Sequence, residues 1–188
     1  PELEKAVESN EHFIKLILTK SRKEQLKEIS LKEESSMGKE FSKTELSLLT
    51  DLAKELNNLY ELKDTAEAYL EALVKELCPN MYALTGSQIG ARLIEHAGSI
   101  KKLATISASQ IQLLGAEKAL FRHLRKGSLC PKYGFLHEHP LIQKARHSEH
   151  GKIARVLADK ISIAVRIDFF KGKYIGDKLK KELEKKLS

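Results

Sequence analysis

From Leu49 onward the apolar residues advance in alternating steps of three and four: Leu49, Leu52, Leu56 and Leu59, then Ala66, Leu70, Leu73 and Leu77. Only Lys63 interrupts the series. A 3.5-residue repeat kept for this long is the signature of a coiled-coil seam, because it holds one apolar stripe on one side of the helix. The stretch has no Gly or Pro before Pro79 and is rich in Leu, Glu, Lys and Ala, all strong helix formers. Ser42 or Thr44 can cap its start, and Glu45, three residues after Ser42, completes a capping box. Pro79 ends it. A helix over 44–77 is about 50 Å long at the standard rise. Upstream, Leu3, Val7, Ile14 and Ile17 predict a shorter helix over roughly 2–20, and the polar run 32–39 predicts the turn that reverses the chain. The expectation is an antiparallel helical hairpin. Its seam either packs on the shorter helix alone or also meets another chain, and a hairpin this thin buries little apolar area per residue.

Beyond Met81 the helical spacing returns in shorter bursts: Ile89, Leu93 and Ile94, then Ile100, Leu103, Ala104 and Ile106, then 111–114 behind Ser107 or Ser109. Residues 116–124 continue as a helix, after which Gly127, Pro131, Gly134 and Pro140 break up a long irregular stretch. The best amphipathic pattern spans 151–165, with Ile153, Val156, Leu157, Ile161 and Ala164 facing inward. A lysine-rich terminal helix over 175–187 carries Leu179, Leu183 and Leu187. Nothing alternates with period two for long. The expected fold is all-α: a long antiparallel coiled-coil hairpin over 1–80, then a compact helical domain over 81–188.

Charge divides the chain at the same place. Residues 1–80 hold 12 Lys/Arg against 17 Asp/Glu, a net of −5, whereas 81–188 hold 21 against 9, a net of +12. Such a break marks two modules with different jobs, and only the second suits a polyanion. Lys118, Arg122 and Arg125 line one helix face, with Lys126 beside them. Lys152, Arg155, Lys160 and Arg166 add cations along the next strong helix, and Lys132 sits on the loop between. Cations at this density suit phosphates, and the guanidinium fork suits paired phosphate oxygens. A solvated helix face is the plain alternative. Only Phe121 and Tyr133 lie among these cations, which argues against a base-stacking platform for single strands and for a folded RNA read by shape and backbone.

Catalysis finds little support. His137, Glu138 and His139 cluster, with His147 and His150 behind them, but their spacing matches neither a helical HExxH nor a zinc knuckle. No metal is expected, and these histidines are expected to be exposed or to face RNA. No nucleophile elbow, Walker loop or GxGxxG is present. Gly86 and Gly90 are spaced as a GxxxG, read as close helix packing. Cys78 and Cys130 form no ligand pair or disulfide framework, no apolar run is long enough for a membrane helix, and no signal peptide opens the chain. A reducing, intracellular compartment is expected. The first residue is Pro1, so an upstream domain is expected.

The run GAEKALFRHLR at 115–125 closely resembles the GAEK–ALFR signature of the Nop domain. GARLI at 90–94, HAGS at 96–99, PKYG at 131–134, GKIAR at 151–155 and LADKISIAVRID at 157–168 match the same family's pattern. Ser36-Met37-Gly38 and Pro79-Asn80 resemble its coiled coil and hinge. The compact lysine-rich ending is most similar to the archaeal box C/D ribonucleoprotein scaffold, whose eukaryotic relatives are the paired nucleolar Nop proteins and a spliceosomal tri-snRNP factor.

The resemblance implies a scaffold without catalytic residues, metal or cofactor. It implies an upstream domain that holds fibrillarin, the 2′-O-methyltransferase, and a chain that starts where that domain would end. It also implies a coiled coil that pairs two copies, and a Nop domain that grips a kink-turn guide RNA once a ribosomal-type kink-turn protein is bound. The location would be cytoplasmic in an archaeon and nucleolar in a eukaryote. RNA contacts are expected at Lys118, Arg122, Arg125, Lys126, Lys132, Arg155 and Arg166. The joint RNA–protein surface is expected at Gly115, Ala116, Glu117, Ala119, Leu120, Phe121 and Glu138, and the dimer seam at Leu49, Leu52, Leu56, Leu59, Leu70 and Leu73. Glu117 would meet a basic group on the kink-turn protein while Lys118 reaches phosphate. Phe121 either approaches the RNA stem or fills the core. Glu138 stands where relatives often carry Gln or His, and a carboxylate there must contact a protein, a base amine or a 2′-hydroxyl. Asp159 and Asp168 would orient neighbouring cations. Lys178, Lys180, Lys181, Lys185 and Lys186 would solubilise a surface. The competing readings are a structural coiled-coil protein with a non-specific RNA-binding domain, and a spliceosomal-type assembly factor.

Overall fold

The computed structural model describes residues 2–28, 36–37 and 41–187, and every regular element among them is helical. The chain forms two compact units, Pro1–Glu67 and Ala68–Ser188. The division falls inside the long helix, ahead of the 80/81 boundary that charge suggests.

The first unit holds α1 (Glu2–Ala6), α2 (Asn10–Thr19), α3 (Arg22–Glu28) and most of α4 (Lys43–Leu77). The single helix expected over 2–20 is broken. Ser9 takes extended backbone (φ −105°, ψ 125°) and starts α2; Ser9 and Asn10 both disfavour helix interiors because their side chains compete for backbone groups. Ile14 and Leu16 are buried, whereas Ile17 is half-buried. The expected turn at 32–39 lies outside the described residues apart from Ser36 and Met37. α4 begins as its cap predicts: Ser42 N donates to Glu45 Oε2 at 2.8 Å and Glu45 N donates to Ser42 Oγ at 3.4 Å. The face of α4 turned inward carries Ala53, which is buried, and half-buried Thr50, Asn57 and Tyr60. The seam is elsewhere. Leu49, Leu52, Leu56 and Leu59 are 38–60% exposed, and Leu48 and Leu62 are more so at 73% and 63%.

The second unit takes in the end of α4, then α5 (Pro79–Ala97), α6 (Ile100–Thr105), α7 (Ala108–Leu113), α8 (Glu117–Lys126), a 3-10 turn (Phe135–Glu138), α9 (Pro140–Gln143), α10 (His150–Phe169) and α11 (Gly176–Leu187). α10 is its axis. Leu157, Ile161, Ala164 and Val165 are fully buried with Met81 and Leu93 of α5, Ile111 of α7 and Leu183 of α11. Each of the Leu, Ile, Val and Met side chains contributes about 1.5–3 kcal/mol by leaving water. The terminal helix is therefore docked by its leucines, and Lys160 on α10 is buried in an ion pair with Glu182 on α11 at 2.6 Å.

α4 and α5 meet at Cys78, which leaves helical geometry (φ −140°, ψ 63°) just before Pro79 opens α5. The new N-terminus is capped from a distance. Asp168 on α10 accepts from Asn80 N at 3.0 Å, Met81 N at 2.9 Å and Asn80 Nδ2 at 2.7 Å. Asn80 Oδ1 in turn accepts from Ile175 N at 2.6 Å, so one network holds α5, α10 and the approach to α11. Asp168 thus serves a helix terminus instead of the cation expected of it. Burial, and then the charge of Asp168, push the Cys78 thiol up to about 11. The GxxxG is not a paired packing motif: Gly86 takes φ 71° and kinks α5, and only Gly90 packs tightly, where a Cβ would come within 3.1 Å of Met81 and Thr85.

Candidate nucleic-acid interface

α8 is rooted at one end and open along its length. Two glycines make the root. Gly115 takes φ 89° with the Phe135 ring against its Cα, and a Cβ on Gly134 would lie 1.8 Å from the Leu114 carbonyl oxygen. That close approach permits a short ladder in which Gly134 N donates to Gln112 O at 2.9 Å and Phe135 N to Leu114 O at 2.8 Å. Gln112 Nε2 adds a bond to Lys132 O at 2.6 Å. The PKYG loop therefore clamps the turn from which α8 departs.

Glu117, the first residue of α8, is held by its own chain. Its Oε1 accepts from Gly115 N at 2.8 Å and lies 2.7 Å from His96 Nε2. Burial works to raise the Glu117 carboxyl, but the bonds from backbone N–H groups and His96 outweigh it and hold it below the usual carboxylate range. His96 also meets the Phe135 ring edge-on at 5.2 Å. Glu138 pairs with Arg92, so the repulsion expected between this carboxylate and phosphate is offset within the chain. Arg92 and His96 stand one turn apart on α5 and were absent from the expected site. Their i, i+4 spacing inside two quoted motifs is the signal that could have found them.

No residue of α8 is buried. Ala116, Ala119 and Leu120 are half-covered, whereas Phe121 is 63% exposed and so is no core residue. Leu124 is exposed beside it. Lys118, Arg122, Arg125 and Lys126 are all exposed and form no ion pair with a described residue. Lys132 is exposed on the clamping loop, its stem over Gly151.

The cations of α10 separate. Lys160 is withdrawn by Glu182. Arg166 donates from Nε to Ala104 O at 3.2 Å, tying α10 to α6 while its head stays exposed. Arg155 lines a cleft of about 460 Å³ with Ser109, Gln112, Asp159 and Lys186. Lys186, expected only to solubilise the tail, thus shares a cleft with an expected RNA contact. The histidines separate as well. His137, which stacks on Tyr133 at 4.8 Å, and His147 are exposed. His139 is buried: Nε2 donates to Leu84 O at 2.9 Å and Nδ1 accepts from Leu141 N at 3.2 Å, capping α9. His150 is buried against Ala145 O at 3.1 Å. Among the described residues no three His, Cys, Asp or Glu converge as a metal-ligand set, and no helix is long and apolar enough to cross a membrane.

The profile of the Nop family, described as snoRNA binding domain, fibrillarin, matches residues 1–188. The chain is 41% identical over 201 residues to a NOP5 family protein of Methanocaldococcus jannaschii, an alignment that takes in 100% of this chain and 48% of that protein. It is 36% identical over 209 residues to nucleolar protein 56 of Mus musculus, covering 100% of this chain and 36% of that protein. It thus spans less than half the length of these relatives. A crystal structure of a fibrillarin/Nop5p complex superposes with a TM-score of 0.59 at 29% identity, covering 98% of this chain and 64% of that one. With a profile match over its whole length and this identity to relatives, the chain belongs to the Nop family.

Proposed function

We propose that this chain is a non-catalytic scaffold of a box C/D ribonucleoprotein that guides RNA 2′-O-methylation, the methyltransferase being its partner fibrillarin. In this reading the second unit grips a kink-turn guide RNA together with the ribosomal-type protein bound to it, and the seam of α4 pairs two copies. The observation that carries it is α8: an exposed helix whose cations form no ion pair with a described residue, beside bare Phe121 and Leu124, rooted by a glycine clamp. Cations supply phosphate attraction, the apolar positions supply a surface for protein or sugar, and the clamp limits what ordering the helix costs on binding. No array of side chains suited to reading bases accompanies them, so affinity comes from a composite surface. Family membership and the fibrillarin/Nop5p relative support the same reading.

Gel shifts of kink-turn RNA bound to its ribosomal-type protein test it. Wild-type chain should supershift the complex, and Arg122→Ala should cost about tenfold in affinity, the loss of one charge-assisted contact. A variant that supershifts like wild type would remove α8 from the interface.

A further inference from the structure

Exposed aromatic rings also alternate with cations in the sequence at a place far along the chain from α8. Phe170 is 76% exposed and Tyr174 52% exposed, and between them run Lys171, Gly172 and Lys173. Tyr174 is steadied by its hydroxyl, which donates to Asp177 Oδ1 at 3.1 Å.

The turn is closed by Lys171 N donating to Asp168 O at 3.1 Å and Gly172 N to Ile167 O at 2.8 Å. This paired closure puts the residue after the helix cap in left-handed geometry and ordinarily takes glycine there. Here that residue is Lys171, φ 53°, the only non-glycine with positive φ among the described residues. A side chain at this position strains the backbone. Lys171 is exposed, so packing does not compensate. What the side chain adds is a cation lining a cavity of about 530 Å³ together with Leu77, Pro79, Ile100 and Phe169. Exposed Lys101 and Lys102 follow Ile100 on α6. Glu76 and Asp168 are the opposing charges on the wall; the Asp168 oxygens are already taken by Asn80 and Met81, and Lys171, Lys173, Lys101 and Lys102 outnumber the two. The exposed face of α10 that carries Lys152, Arg155 and Arg166 ends at Phe170, in helical steps of three and four.

We propose that this turn and its cavity bind single-stranded RNA, with phosphates on Lys171 and Lys173 and a base stacked on Phe170. An accessible ring with lysines on either side is the chemistry that holds an unpaired strand without reading its sequence. A protein partner would have to be acidic to fit this rim.

Fluorescence anisotropy of a labelled single-stranded pyrimidine RNA of about ten nucleotides, titrated with the full chain, tests the proposal. Phe170→Ala should weaken binding about fivefold or more and Phe170→Tyr should preserve it, because stacking needs only the ring. Lys171→Gly should raise the thermal midpoint yet weaken binding, separating strain from function. Arg122→Ala should change it less than about twofold. Binding that survives Phe170→Ala, or that Arg122→Ala damages more, overturns the proposal. So does an acidic peptide that displaces the RNA as well as unlabelled RNA does. The oligonucleotide has no kink-turn, so this surface and the reading of α8 fail or stand separately.

Discussion

Asp168 gathers three donors on one buried carboxylate, two of them the opening backbone N–H groups of α5. Charge-assisted bonds at a helix N-terminus are among the stronger polar contacts, and leaving buried donors unmet adds to the loss. Asp168→Ala should therefore destabilise the chain by about 3 kcal/mol in urea unfolding. Asp159→Ala, on an exposed face, should stay within about 0.5 kcal/mol. Equal effects would mean that the remote cap contributes nothing. His139 gives a pH dependence of known sign. Burial, the larger effect, and then the charge of Lys180 lower its imidazole below the ordinary 6.5, against the bond to Leu84, which raises it. The unfolded chain takes up the proton first, so the stability from neutral His139 is complete above 6.5 and is lost as pH falls from there toward the folded value. Protonating Nδ1 also removes the acceptor that caps α9. Wild type should lose urea stability as pH falls from neutrality through 6.5, and His139→Asn, which can still cap, should lose less. Parallel curves would contradict this.

Among the elements, α4 has an apolar surface wider than its seam. Leu48 and Leu62 flank Leu49, Leu52, Leu56 and Leu59, and all six are exposed. Leu48, Leu49 and Leu52 give one heptad three apolar positions, which fit a helix with more than one neighbour, whereas Glu55 takes the flanking place in the next and leaves the two that a two-stranded seam needs. Lys63, which interrupts the repeat, lies 3.7 Å from Glu67 on the same helix. Leu56→Gln with Leu59→Gln should reduce the mass seen by light scattering toward one chain while leaving helix content unchanged. A mass equal for wild type and variant across a concentration series would confine the seam to its own chain. α4 was legible to one residue because its repeat and its Ser42–Glu45 cap are local, and α8 was legible from its cationic face. The break at Ser9 and the kink at Gly86 were missed because apolar spacing runs through both. The Asp168 cap, the Lys160–Glu182 pair and the Leu84–His139 bond join residues 88, 22 and 55 positions apart, and no periodicity records such pairs. The site divides in the same way. Its cations were legible, but the ties of Glu117 to His96 and Glu138 to Arg92 arise only when α5 and the 3-10 turn are packed.

At the scale of the whole molecule, residues 1–80 carry a net charge of −5 and residues 81–188 a net charge of +12. That charge guarantees some attraction to any RNA, falling as salt rises, so binding alone says little. The central claim is that specific affinity needs a surface made jointly by RNA and protein. The most direct measurement compares the dissociation constant of the chain for bare kink-turn RNA with that for the same RNA already carrying its ribosomal-type protein, at one physiological salt concentration. The account predicts affinity at least about tenfold tighter for the preformed complex, or about 1.4 kcal/mol of coupling. Equal affinity for the two would contradict it.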